Sequence, residues 1–537
     1  PPCNYLDFTN RTNKPFDGLL LNNDNINYHG ENHAVTYKVN NTTGTSDKYQ
    51  KPTPNNVVDQ LYTQAEAGFT AADGAIQPGK EVFVDWNTEP DGSGTSYSPG
   101  QAVTLTKNLT LYAQWRGNRY IVSKDAGGVV LGSYHWLKDA VAACLPNHEP
   151  CTITATQDDT AMGTVVTVPA DKVITLTSDG ELRTITQTTV HRANGRHLLV
   201  AGKLTLEKIV LAGTGINVYT QITTNGGIEV ETGGGLEIRD GAKITKCFSS
   251  DGGGGVYMND TTFLNIDGGE IVSNVALNKD AKPSSIVARG GGVYVGKDVD
   301  FVMYDGKVSG NRSNGHGGGI YLSQYSRFTM MDGELNNNTA EGGSGGGLHN
   351  DSMGGSYPYA PGFVKIQGGE ISWNVSSSGG GLSLSADPFT MSGGTISNNE
   401  AYFSGGGIGT TAPSEMSGGL ITKNKTTLAS TFFGGGGVYS FGAFTMSGGT
   451  ISENTTAGTG GGVHMEDNGP TASYKPSFTM KGGIITKNTA NGPGTGNWMN
   501  SGGGGVYLGS TAPFTMTGGT ISQNTVTNGS GGGIHLR

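Results

Sequence analysis

The chain has 537 residues, 91 of them glycine, and a formal net charge of -10 with only 15% of residues charged. That length exceeds one ordinary compact core and suits several domains or one stacked repeat. Sparse, net-negative charge argues against nucleic acid and anionic membrane surfaces as partners, since both need concentrated Lys and Arg. No run of 18 apolar residues is present to span a bilayer. The glycines are periodic, with apolar residues at fixed offsets, which low-complexity disorder does not produce. The chain opens on Pro1-Pro2-Cys3 with neither an initiator Met nor a signal peptide, and reads as a processed or excised piece.

Residues 1–33 are rich in Asn and lack a sustained period; they read as an arm or as the end of a preceding module. In residues 34–116, AVTYKV alternates like a strand, and NVVDQLYTQAEAG suits a short helix ending at Gly68. EVFVDW, AVTLT and LTLYAQW then read as strands, with turn chemistry at Pro90-Asp91-Gly92 and Pro99-Gly100. The elements W-N-T (from Trp86), D-G-S-G-T-x-Y (from Asp91), P-G and L-Y-A-Q-W (ending at Trp115) closely resemble the Listeria–Bacteroides repeat. The resemblance covers residues 34–116 and is specific in the C-terminal half, whereas TSDKYQKPTPNN looks like an insertion. It implies a small β-grasp-like module, used as a spacer or stalk in bacterial surface proteins, and it brings no catalytic residues.

Residues 117–240 resemble the start of a parallel β-helix. SYHWLKDAVAACL places Trp136, Leu137, Ala140, Val141 and Cys144 on one helical face. An amphipathic helix over Trp136 to Leu145 is the cap that the first rung of a solenoid needs. CTITAT, GTVVTV, VITLTS, HLLVAG and KLTLEKIVL read as irregular first rungs. Cys144 and Cys151 flank LPNHEP and suit a disulfide in an exported protein, or two reduced thiols in a cap.

In residues 241–537 each unit reads F-T-M-x-G-G-x-I-[ST]-x-N, a variable loop, G-G-G-[VIL]-[YH], and another loop. The final Asn falls at Asn274, Asn311, Asn338, Asn374, Asn399, Asn424, Asn454, Asn488 and Asn524, at spacings of 37, 27, 36, 25, 25, 30, 34 and 36. Units this short, tolerant of insertion, with two or three strands per turn, predict an all-β chain dominated by a parallel β-helix. The crossover rule predicts right-handed coiling. Phe, Met and Ile should point inward, and Gly-Gly should make a corner at positive φ. Each terminal Asn should stack its amide on the next, satisfying turn groups. At the first copy the same position is Cys247, read as a buried thiol capping the stack.

Over residues 240–537 the GGG[VIL] and IxxN elements are similar in style to the polymorphic outer-membrane and autotransporter-type adhesins. That resemblance implies a secreted, cell-surface adhesin or structural stalk, with host or microbial surface glycans or glycoproteins as the expected partners; a purely structural rod without a ligand is a third class. A β-helix carbohydrate-active enzyme, polysaccharide lyase or glycoside hydrolase, is the rival. Gly315-His316-Gly317 and Asp158-Asp159 resemble polygalacturonase elements, but the R-I-K partner is missing and the acids lie far from the histidine in sequence. No catalytic constellation stands out. Asp267, Asp305 and Asp332 occupy one corner of consecutive rungs, either as solvated acids or as a calcium site; no other cofactor or metal is implied.

The strongest binding candidate is a stripe. After each G-G-G-[VIL] come Tyr257, Tyr294, Tyr321, His349, Ser383, Gly409, Tyr439, His464, Tyr507 and His535. Alternation turns these side chains outward, where eight rings either bind glycans or stack only to hold the sheet. The last residues, GGGIHLR, break off inside a rung, so further rungs and an anchor are expected beyond Arg537.

Overall fold

The computed structural model describes residues 19–22, 25–28, 33–38, 48–50, 57–67, 82–90, 92–124, 128–188, 195–215, 226–278, 288–352, 362–466, 475–492 and 502–537. They fall into two units, Pro1–Asn118 and Arg119–Arg537. Much of the arm and part of the TSDKYQKPTPNN stretch lie outside the described residues.

In the first unit Leu19–Asn22 and Asn25–Tyr28 form an antiparallel hairpin. A five-stranded sheet follows in the order Lys48–Gln50, Val35–Lys38, Leu109–Arg116, Val82–Asn87, Ser96–Tyr97. Its central pair, Val35–Lys38 with Leu109–Arg116, is parallel and its other pairs are antiparallel. Trp86 is fully buried against Tyr37, ring to ring at 4.6 Å, and its indole N–H donates to the Tyr62 carbonyl at 2.7 Å. Asn87 closes the following turn, accepting from the Glu89 N–H at 2.9 Å and donating to the Gly92 carbonyl. One expectation fails here: NVV does not begin a helix. Val57–Val58, a β-branched pair, forms a strand against Val103–Thr104, and the helix α1 is the single turn Gln64–Ala67.

The second unit begins with antiparallel pairing. Tyr120–Lys124 lies between Val130–Tyr134 and Pro150–Ala155 and is antiparallel to both, after which that sheet is parallel throughout. The helix α2, Leu137–Ala143, packs against this start and buries Leu137, Ala140 and Val141. Lys172, itself buried, donates its ammonium to the carbonyls of Ala142 and Cys144 at the helix C-terminus, where the dipole favours a cation. Cys144 and Cys151 are joined as a disulfide with Cα atoms 5.7 Å apart. Trp136 does not share the buried face. It is the residue before the helix, in extended backbone, with its ring 38% exposed and edge-on to His135.

From Pro150 on, each turn of chain contributes one strand to each of several parallel sheets, so the unit is a parallel β-helix. Four faces recur, not two or three. In one coil they are Phe389–Met391, Thr395–Ser397, Glu400–Ser404 and Ile408–Thr410. The extra face is the ten-stranded third sheet, whose strands are mostly two residues long, too short to show a period in sequence. Phe and Met of the first face, Ile of the second and the first residue of the fourth point inward and are buried in the coils before the last; in the last, Met516 is exposed and Phe514, Ile521 and Ile534 are partly buried.

The four corners behave differently. Between the first and second faces a glycine at positive φ turns the chain, as at Gly394 (φ 76) and Gly419 (φ 84). Between the second and third faces the corner is always two residues, and the Asn is the second of them. The first lies in the left-handed region whatever its chemistry: Ser273, Gly310, Asn337, Trp373, Asn398, Lys423, Glu453, Lys487 and Gln523 have φ between 55 and 62. From the coil of Asn274 onward the variation in length falls at the two corners flanking the fourth face. The third-to-fourth connection runs from 379–381 in one coil to 277–292 in another, and the fourth-to-first from 441–442 to 351–362.

A left-handed conformation costs a non-glycine residue about 1–2 kcal/mol, offset in part by the larger unfolded-state entropy of glycine, about 0.5–1 kcal/mol. Lys423→Gly should therefore raise stability by about 0.5–1 kcal/mol, read as an upward shift in urea midpoint.

Candidate functional site

The Asn residues form one continuous ladder. The Asn424 Nδ2 donates to the Asn454 Oδ1 at 3.0 Å and to the Ile396 carbonyl of the preceding coil at 2.9 Å. Its Oδ1 accepts from the backbone N–H and the Nδ2 of Asn399 at 3.0 and 2.9 Å. The amide-to-amide bond repeats at 2.9–3.1 Å through Asn274, Asn311, Asn338, Asn374, Asn399, Asn424, Asn454, Asn488 and Asn524. Each amide inside the ladder thus uses both donors and both lone pairs, which is what burial of an amide requires.

Cys247 stands at the head of the ladder, buried. Its N–H donates to the Asn274 Oδ1 at 3.0 Å, and burial pushes its thiol up to about 12. Two coils earlier in the chain His197, which sequence reasoning passed over, takes up the same work. Its Nδ1 accepts from the Gly227 N–H at 2.8 Å, and its Nε2 meets the carbonyls of Ile185 and Ala212 at 3.2 and 3.1 Å. Beside it Arg196 is buried and donates to the carbonyls of Gly252 and Gly253.

The rings of the stripe stand in register on the fourth face and stack across coils. Tyr257 and Tyr294 lie 4.5 Å apart at 4°, Tyr294 and Tyr321 5.1 Å apart, and Tyr321 and His349 5.7 Å apart. A second stack runs Tyr439, His464, Tyr507, His535 at 4.8, 4.6 and 5.3 Å. Ser383 and Gly409 separate the two. These side chains do leave the core side, but they fold back over the glycine corner. The His464 Nδ1 lies 2.9 Å from the Thr459 hydroxyl, ahead of its own Gly-Gly-Gly, and its Nε2 meets Glu466 at 2.8 Å. Tyr321, His349, Tyr439, His464, Tyr507 and His535 are buried, and only Tyr257 and Tyr294 are half-exposed. Neighbouring rings cover each other's faces, so within each stack little but ring edge is left for an incoming sugar. Arg289 and Asp351 close over Tyr321, whose hydroxyl accepts from the guanidinium at 2.6 Å and donates to the carboxylate at 2.5 Å.

The acids are dispersed. Asp305 and Asp332 each accept from the next glycine N–H, at 2.7 and 2.8 Å. They line a groove of about 490 Å³ with Asp240, Glu270, Glu334, Glu370 and Lys307, and Asp267 is not part of its lining. Lys307 is paired with Glu334 at 3.2 Å, and Glu270 with Lys243 at 2.8 Å. Among the described residues no three His, Cys, Asp or Glu side chains are arranged to hold a metal ion. Asp159 is buried against Arg119 at 2.6 Å and the Tyr120 hydroxyl at 3.1 Å, and Asp158 accepts from the Thr184 N–H. His316 stacks on His349 at 4.4 Å and accepts from the Ser344 N–H, several coils away from that pair.

A feature with no sequence period is a cluster of exposed rings on the third face and the connection after it. Tyr402 and Phe403 meet edge to face at 4.7 Å, and Phe403 meets Phe433 at 5.7 Å. A register shift in the pairing of Val375–Ser378 with Glu400–Ser404 breaks alternation and turns both Tyr402 and Phe403 to solvent.

No family model matches the chain, and no solved structure matches it. Over 74 residues it is 42% identical to a protein of Evansella cellulosilytica named "Putative Gly-rich membrane protein", covering 14% of this chain and 7% of that protein. Over 44 residues it is 46% identical to a "Putative membrane protein" of the same organism, covering 8% and 7% of the two chains. The chain therefore spans only a small fraction of the relatives it matches. Among the described residues no helix is long and apolar enough to cross a membrane.

Proposed function

We propose that this chain is the exposed part of a secreted, bacterial cell-surface protein, in which a Listeria–Bacteroides-type spacer is joined to a β-helix of the autotransporter-adhesin style that binds surface glycans or glycoproteins. One observation carries the reading: along the Asn ladder the coil interior is held constant while length variation is displayed at the two corners beside the fourth face. Such a scaffold presents variable loops in fixed order, as recognition surfaces on rigid frames do. The disulfide suits an oxidising compartment, and the membrane-protein names of the relatives agree with a surface location.

Labelled protein is expected to adhere to bacterial wall material or host-cell glycans without altering them. Incubation with mixed plant and host polysaccharides that yields new reducing ends or unsaturated uronates would replace this reading with a carbohydrate-active enzyme.

A further inference from the structure

Glycan binding by this β-helix needs rings whose faces are open, and the stacked column does not offer them. Open rings occur where the column is interrupted. At two successive coils it holds Ser383 and Gly409, and the Gly409 coil and the one after it expose Tyr402 (52%), Phe403 (37%), Phe432 (57%) and Phe433 (38%). We propose that these four side chains form the sugar-contacting platform, and that its ligand is a neutral, extended oligosaccharide. The inference rests on the surface-binding reading above and names the site for it.

The platform is preorganised. The Ser430 hydroxyl oxygen accepts from the N–H groups of both Phe432 and Phe433, at 3.1 and 3.2 Å. The Leu428 N–H donates to the Tyr402 carbonyl at 2.8 Å, tying the two coils together beneath the rings. Little ordering entropy is then left to be lost on binding. The strand bulge is the device that places two consecutive rings outward, and bulges recur where a side chain has to be re-aimed.

Size and charge decide the occupant. Each ring side chain carries about 150–250 Å². Four of them, roughly half exposed, offer roughly 400 Å², half of the roughly 800 Å² per partner that a stable protein contact needs. That is too small for a second copy or a folded partner and adequate for a few sugar rings. Glu400 and Lys425 face each other at 4.0 Å beside the platform, and Arg537 lies over the Phe432 ring at 5.7 Å. With the chain at a net -10, an anionic polysaccharide or an acidic lipid surface is not favoured.

The test is calorimetry with cellohexaose and chitohexaose on the whole chain, alongside Tyr402→Ser combined with Phe432→Ser. The wild type should bind at least one hexasaccharide. The double variant should bind at least tenfold more weakly with an unchanged melting profile, since both side chains are already in solvent. Equal binding by the folded variant overturns the platform. So does failure of the wild type to bind either probe; if that same protein still adheres to wall material, the surface reading stands and only the platform falls. Hexasaccharide binding without adherence to any surface keeps the platform and removes the surface role. Sedimentation showing self-association that the double variant abolishes, with no sugar effect, would make the patch a contact between copies and overturn the proposal.

Discussion

Replacing Asn424 by leucine is expected to destabilise the β-helix by about 3–5 kcal/mol, a loss reserved for a short list of mechanisms. The substitution removes two donors and an acceptor at once. The Asn399 N–H and Nδ2 lose the oxygen they share, and the Ile396 carbonyl loses its donor. Asn424 is fully buried, so water cannot replace them, and each stranded group carries a penalty of about 1–3 kcal/mol. The neighbouring Lys425→Ala, which removes only an exposed ion pair at 4.0 Å, should stay within about 0.5 kcal/mol of wild type. Urea midpoints compare the two. Hydrogen exchange should show protection lost first in the coils on either side of position 424, because a solenoid's stability is a sum of neighbouring contacts. An Asn424→Leu midpoint equal to that of Lys425→Ala would mean that the amide column adds nothing.

Acidification should weaken the same unit, and His197 sets the window. Burial holds its imidazole down at about 4, against an ordinary 6.5, with Arg196 adding to the effect and the carbonyls of Ala212 and Ile185 opposing it. A histidine with a depressed native pKa binds its proton more readily in the unfolded chain. Its contribution is complete above pH 6.5 and is lost as the pH falls toward 4. The size is about 3 kcal/mol at 1.36 kcal/mol per pKa unit. His349, buried beside His316 and Arg289, is pushed down as well and acts in the same direction. Denaturation midpoints measured between neutral pH and pH 4 should fall steadily, and His197→Gln, which keeps an acceptor for Gly227, should flatten the curve. A wild-type profile without slope across that range would show that His197 is not held neutral.

Much of the coil was legible because its rules are local and repeated. Phe and Met at alternate positions declare one buried face, and an Asn that recurs after every Ile marks an amide that must meet its own copy. The left-handed residue before each Asn was not legible, because Lys423, Glu453, Trp373 and Gln523 share a conformation and no chemistry. The third face was missed because a two-residue strand has no period to read. Alternation told which side of the strand the rings of Tyr321 and His464 leave from, but not that they fold back over a glycine corner. Tyr402 and Phe403 escaped notice for the opposite reason: a bulge, which no pattern announces, puts neighbours on the same side.

The two fixed corners make the β-helix a ruler. Counting Asn residues from Asn274 gives a position along the coil axis in steps of about 4.8 Å, whatever length of chain intervenes at the other two corners. A peptide inserted between Ser378 and Leu382, where the native connection is only 379–381, would keep its address. It would be displayed within one or two steps of Tyr402 and Phe432 without moving either, so foreign segments can be arranged on this protein in a chosen order and at a chosen separation.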